Sequence, residues 1–104
     1  QRRDFLYIDD FVKAVFKLII NKKISGEIFN IGAGKTEIVR NVIFFIKNVI
    51  KKGYPNFGKV KMRKEENMVT YPNIKKIKRL IKWSPKIKLR RGIISTISYY
   101  KKIL

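Results

Sequence analysis

The hydrophobic positions of this chain change rhythm several times, and each change predicts a new element. Phe5, Leu6, Tyr7 and Ile8 form a short apolar run, which predicts a strand over residues 4–8. Phe11, Val12, Val15, Phe16, Ile19 and Ile20 then recur at helical spacing, so they share one face of a helix. Asp9 or Asp10 can cap that helix and interact favourably with its N-terminal dipole, while Lys22 and Lys23 suit its far end. Ser25-Gly26 turns the chain, residues 27–31 read as a second strand, and Gly32-Ala33-Gly34 as a tight turn. Thr36 is the expected N-cap of a helix over 37–51. Its apolar positions cover more than half the circumference, which calls for burial on several sides.

The second half is less regular. Residues 53–58 are a loop by composition, 59–62 alternate as a short strand, and 63–72 show no period and read as loop. Asn73 can cap a helix carrying Ile74, Ile77, Leu80 and Ile81 on one face, ended by Trp83-Ser84-Pro85. A last helix over about 90–102 is expected to bury Ile93, Ile94, Ile97 and Tyr100. Short strands alternating with helices indicate an α/β fold.

Composition narrows the chemistry. With 104 residues and 45% hydrophobic content the chain suits one small folded unit. It holds no Cys and no His. That removes disulfides, thiolate metal sites and the commonest general base. No apolar run reaches the roughly 18 residues that span a bilayer, so no membrane association and a cytoplasmic location are the default expectations. The net charge of +19, from 26 Lys+Arg against 7 Asp+Glu, suits an anionic partner. The lysines are spread over every predicted helix, however, as lysine-rich compositional drift would leave them. The sequence starts Gln-Arg-Arg, without Met, and runs directly into a predicted strand. The expectation is a piece of a longer protein.

Three motif look-alikes carry little. Gly32-Ala33-Gly34-Lys35-Thr36 follows a predicted strand like a phosphate-binding loop, but the glycine required five residues before Gly34 is Phe29. A dinucleotide fingerprint would need glycine where Glu37 stands. Tyr71 and Lys75 have the Tyr-x-x-x-Lys spacing of a dehydrogenase acid/base pair, yet Pro72 and the capping Asn73 place Tyr71 outside the helix. No catalytic, cofactor-binding or metal-ligating set remains in the chain.

The order of several weaker motifs is more telling. Arg3-Asp4-Phe5-Leu6-Tyr7-Ile8-Asp9-Asp10 and then Gly26-Glu27-Ile28-Phe29-Asn30-Ile31-Gly32-Ala33-Gly34 resemble the C-terminal part of extended short-chain dehydrogenases, the NAD-dependent nucleotide-sugar epimerases and dehydratases. Arg63 with Glu66 is similar to the family's Arg-x-x-Asp/Glu loop. Asn73-Ile74-Lys75-Lys76 stands in place of Asp-Ile-Ser-Lys, and residues 80–86 resemble Leu-Gly-Trp-x-Pro, with Ile81 read at the glycine before Trp83. Glu37 stands where the family often has Ser or Asn. Pro55-Asn56-Phe57-Gly58 with Arg63, Glu66 and Met68 resembles a branch of 4-ketosugar-nucleotide reductases and epimerases.

The resemblance implies that residues 1–104 are the C-terminal nucleotide-sugar-binding segment of a larger NAD(P)-dependent enzyme, with the Rossmann core and catalytic residues upstream. It implies that Arg3 and Arg63 contact the substrate's diphosphate, and that Glu66 accepts from the ribose or orients Arg63. NAD or NADP belongs to the full-length parent and is not expected on this segment. The implied partners are a nucleotide sugar, the upstream Rossmann domain and a second copy of the parent in a homodimer. Two other readings stay open. One is a basic nucleic-acid-binding module, with Tyr54, Phe57 and Tyr71 available for base stacking. The other is an inactive truncated remnant.

Overall fold

The computed structural model describes residues 1–51 and 69–103. Three two-residue strands form one sheet: β1 (Arg2–Arg3) in the centre, β2 (Glu37–Ile38) antiparallel on one side and β3 (Val69–Thr70) parallel on the other. Around it lie helices α1 (Ile8–Ile20), α2 (Val39–Ile50), α3 (Lys75–Ile81) and α4 (Leu89–Ile103), with α2 lying against α4. This is the expected mixture of short strands and helices. None of the helices among the described residues is long and apolar enough to cross a membrane.

Several boundaries move, and the hydrogen bonds explain why. The expected strand over 4–8 pairs only at Arg2–Arg3. Asp4 leaves the ladder because its carboxylate accepts from the backbone N–H groups of Ala33, Gly34 and Lys35. The expected strand over 27–31 does not form. Its place beside β1 is taken by Glu37–Ile38, which the periodicity had put inside the following helix. Thr36 does not cap that helix. Its hydroxyl accepts from Arg2 Nε at 2.8 Å, and α2 begins three residues later with Val39 N–H donating to the Gln1 carbonyl. Nor does a side chain cap α1, whose N-cap is Tyr7. The loop expected over 63–72 contains β3, and the expected strand over 59–62 lies outside the described residues.

The core is small. Ala14 of α1, Ile74, Ile77 and Ile81 around α3, and Trp83 are buried together, with Leu6, Leu18, Ile24, Phe29 and Ile31 packed on their flank. Asn73 does not take the N-cap position, which is Ile74, but from one residue earlier its side chain accepts from the N–H of Lys75, the first residue of α3. Leu80 does not join the core, and on α4 Ile94 and Tyr100 are exposed while Ile93 and Ile97 are only half-buried. The left-handed backbone position that ends α3 is Lys82 (φ 59), directly before Trp83. The residue that pays the steric cost of a missing glycine is therefore Lys82, whereas Ile81 is buried.

The largest departure concerns α1. Phe11, Val12, Phe16, Ile19 and Ile20, from the apolar face that the periodicity marks, are exposed. The helix instead turns the row Asp10, Ala14, Leu18 inward, one turn apart from each other. Ala14 is fully buried, and its short side chain lets α1 come close to α3 and Trp83. The stripe did identify the most apolar side of the helix, but a different side was chosen for the core of this chain.

Candidate functional site

The stretch from Arg3 to Asp10 has its two outer aspartates doing unlike jobs at unlike places. Asp4 sits under the turn at residues 32–35. Its Oδ1 accepts from Ala33 N–H at 2.8 Å, and its Oδ2 from Gly34 at 2.7 Å and Lys35 at 3.3 Å. The turn that resembled a phosphate-binding loop is thus already filled by an anion belonging to the chain itself. Those donors are the ones a phosphate would use, so the sequence's rejection of that motif now has a geometric cause. Gly34 takes φ 78, and a Cβ there would lie 2.7 Å from the Ile74 side chain, so glycine is required twice over.

Asp10 is only 1% exposed. Its Oδ2 accepts from Lys86 N–H at 3.0 Å and Ile87 N–H at 2.8 Å, and its carbonyl accepts from the indole N–H of Trp83 at 2.9 Å. A carboxylate expected to cap its own helix reaches instead across more than seventy residues, tying α1 to the segment between α3 and α4. The burial of a charge is offset by two charge-assisted backbone hydrogen bonds. Sequence reasoning found the residue but not this role. The available signal was the scarcity of acids: a chain with 26 basic residues keeps three of its seven acids, Asp4, Asp9 and Asp10, in this one short stretch, beside an apolar run.

Together the two aspartates fix the walls of a cleft of about 220 Å³. Lys35 comes from the loop held by Asp4, and Lys86 and Lys88 from the segment held by Asp10. Phe5 contributes an aromatic ring to the lining, and among the described residues Glu37 of β2 is its one carboxylate. Three ammonium groups and an aromatic ring around a small cleft suit an anionic group attached to a flat apolar one. A second, apolar cavity of about 370 Å³ shares Phe5, Ile87 and Leu89 with the cleft and is lined also by Tyr7, Ile46 and Ile93.

Arg3 is connected to this cleft through its strand partner Glu37. It is half-buried in β1, opposite Glu37 of β2 and beside Thr70 of β3, and its Nη1 donates to the Arg2 carbonyl at 3.0 Å. Arg2, next to it, points the other way and is consumed by structure, donating to the hydroxyl and carbonyl of Thr36. Arg63 and Glu66, the other expected substrate contacts, lie outside the described residues, as do Tyr54 and Phe57. Tyr71 is exposed and precedes α3, so it does not share a helix with Lys75. Among the described residues no cluster of His, Cys, Asp or Glu could hold a metal.

One ion pair is well formed away from the cleft. Lys76 Nζ lies 2.6 Å from Glu27 and 2.8 Å from the Ile28 carbonyl, over the Phe29 ring. The hydrogen bond from Lys76, and secondarily its charge, hold the Glu27 carboxyl below its ordinary value of 4.5.

The profile of the NAD dependent epimerase/dehydratase family matches residues 1–32, the segment that carries Arg3, both aspartates and all of α1. Over 97% of its length the chain is 33% identical to a UDP-glucuronate 4-epimerase of Thermodesulfobacterium geofontis, of which it covers 31%. It is 32% identical to a CDP-abequose synthase of Salmonella muenchen, covering 94% of the chain and 34% of that protein. The whole chain superposes on 33% of the crystal structure of a UDP-glucuronic acid 4-epimerase from Bacillus cereus, solved with UDP-glucuronic acid and NAD, with a TM-score of 0.85 and 30% identity. The chain therefore spans about a third of the length of these relatives.

Proposed function

We propose, from the premise that this chain belongs to the NAD dependent epimerase/dehydratase family, that it forms the nucleotide-sugar-binding segment of an NAD(P)-dependent epimerase, dehydratase or 4-ketosugar reductase. The observation that carries the reading is the position of Arg3. It lies in the central strand of the sheet and pairs there with Glu37, which together with Phe5 and three lysines lines a cleft whose walls are held by Asp4 and Asp10. A planar guanidinium held by a strand can grip a diphosphate in a fixed orientation, and the cleft that Glu37 lines can take a further anionic or ring-bearing part of the same ligand. Arg63 and Glu66 complete the proposed contacts from residues 63–66. NAD or NADP and the groups that perform hydride and proton transfer come from the upstream part of the family fold, so this segment binds and orients without catalysing alone.

The reading is tested in a chimera that joins this chain to the remaining two-thirds of the Bacillus cereus relative. UDP-glucuronic acid is titrated into it calorimetrically. Arg3→Ala and Arg63→Ala are each expected to lower affinity by about tenfold or more, the loss of one charge-assisted phosphate contact. The nucleic-acid reading is favoured by α3, where Lys75, Lys78 and Arg79 are all exposed beside Asn73. Nucleic-acid binding that tolerates either arginine change, and collapses steeply as salt rises, would put that reading first. Binding of neither ligand would leave the remnant.

A further inference from the structure

Two chemically unlike spaces meet at one wall. Phe5, Ile87 and Leu89 line both the cleft of about 220 Å³ and the apolar cavity of about 370 Å³. On the cleft side stand Lys35, Lys86 and Lys88. The backbone that carries them is fixed, because Asp4 accepts from Lys35 N–H and Asp10 accepts from the N–H groups of Lys86 and Ile87. Among the described residues none of the three ammonium groups is in an ion pair, the pair that forms being Lys76 with Glu27. Three lysines against the carboxylate of Glu37 leave the cleft with two positive charges in excess. On the cavity side Tyr7, Ile46, Ile93 and Ile97 enclose a space where α2 lies against α4. Thr96 also lines it, but its hydroxyl already donates to the Gly92 carbonyl.

We infer that the cleft and the cavity form one site for an amphipathic anion, a phosphate monoester of an apolar alcohol. The phosphate sits on the lysines, and the hydrocarbon chain passes Phe5 into the cavity. Charge selects the head. A phosphate monoester carries about −1.5 to −2 at neutral pH, which matches the two-charge excess, whereas a carboxylate would neutralise half of it. Lysine meets such a head as a point charge and needs no planar partner. The lining selects the tail. Aliphatic and aromatic side chains dominate the cavity, so a sugar or a base placed there would lose hydrogen bonds to water without replacing them. The size is that of a small-molecule site. The common wall selects a ligand with both parts: inorganic phosphate would leave the cavity empty, and a neutral hydrocarbon would leave the lysines unneutralised. The inference goes beyond the nucleotide-sugar reading and does not use Arg3, Arg63 or Glu66.

Butyl, hexyl and octyl phosphate, each below its micellar concentration, are titrated calorimetrically into the full 104-residue chain. One-to-one binding is expected, tightening about fourfold for each added methylene that enters the cavity. Inorganic phosphate should bind more weakly than all three, and octyltrimethylammonium should not bind. Lys86→Gln with Lys88→Gln is expected to weaken octyl phosphate by about tenfold or more. Lys101→Gln with Lys102→Gln removes the same charge from the far end of α4 and should change nothing. Ile93→Trp fills the cavity and should bring octyl phosphate down to the affinity of butyl phosphate while leaving inorganic phosphate as it was. Thr96→Phe, at an exposed position of the same lining, is the second filling variant and guards against misfolding of the first. The proposal is overturned if affinity ignores chain length, or if octyltrimethylammonium binds as well as octyl phosphate. It is equally overturned if the Lys101 and Lys102 pair matters as much as Lys86 and Lys88, or if both filling variants bind octyl phosphate as the parent does. Titration of the chimera with UDP-glucuronic acid reports on the nucleotide-sugar reading separately, so either can fail alone.

Discussion

The two sides of α1 obey different rules. The inner side carries Asp10, Ala14 and Leu18, a polar, a small and a single large apolar residue, yet it is the side the core is built on. The outer side carries the large hydrophobic residues and faces solvent. The comparison teaches that apolar volume does not decide which face of a helix a given piece of chain buries. Close approach and hydrogen-bond capacity do: Ala14 lets α3 and Trp83 come near, and the buried Asp10 accepts from the backbone N–H groups of residues 86 and 87.

The contrast can be broken from the inside first. Asp10→Ala leaves two backbone N–H groups without their acceptor and is expected to cost about 2–4 kcal/mol. Because small domains hold only about 5–15 kcal/mol in total, a urea melt should show the loss plainly. Ala14→Leu forces extra volume between α1 and α3 and should cost about 1–3 kcal/mol in the same melt. Phe16→Asp, on the outer side, should stay within about 0.5 kcal/mol in the isolated chain, because an exposed side chain loses little on replacement. An outer-side change that destabilised as much as the inner ones would remove the distinction.

The smallest effect concerns Glu27 and is a matter of sign. Its folded carboxyl is held below the ordinary 4.5 by the hydrogen bond and charge of Lys76. A group depressed in the folded state adds stability that is full above its unfolded value and disappears as pH falls through the lower folded one. The pair is exposed and screened by solvent. Glu27→Gln should therefore shift a thermal melt at pH 7 by at most about a degree, and the shift should vanish in strong acid and shrink in high salt.

Much of this was legible in the chain, and the failures share a cause. Helices α2, α3 and α4 fall where their periodicity placed them, to within two residues at their starts, because local spacing and turn-forming side chains such as Asn73 act over a few positions. The strands were misplaced because each pairs for only two residues, too short for an alternating pattern to register. The α1 stripe was read correctly as one apolar face, and the periodicity did not show that this chain leaves that face exposed, since a sequence shows which side is hydrophobic but not which piece of protein will cover it. Asp4 and Asp10 were taken as a strand residue and a candidate helix cap, whereas their partners lie about thirty and more than seventy residues away, beyond any local signal. Arg3 was singled out through an ordered set of motifs, and the fold puts it in the central strand.

The most direct test sits at one register of the sheet, where Arg3 and Glu37 face each other across β1 and β2. If an anionic nucleotide sugar binds here, the two charges should act with opposite signs. Calorimetric titration of UDP-glucuronic acid into the chimera is predicted to show Arg3→Ala weakening binding about tenfold or more and Glu37→Gln tightening it a few-fold, with both variants melting as the parent does. Equal affinities for the parent and both variants, or the same direction of change in both, would contradict the account.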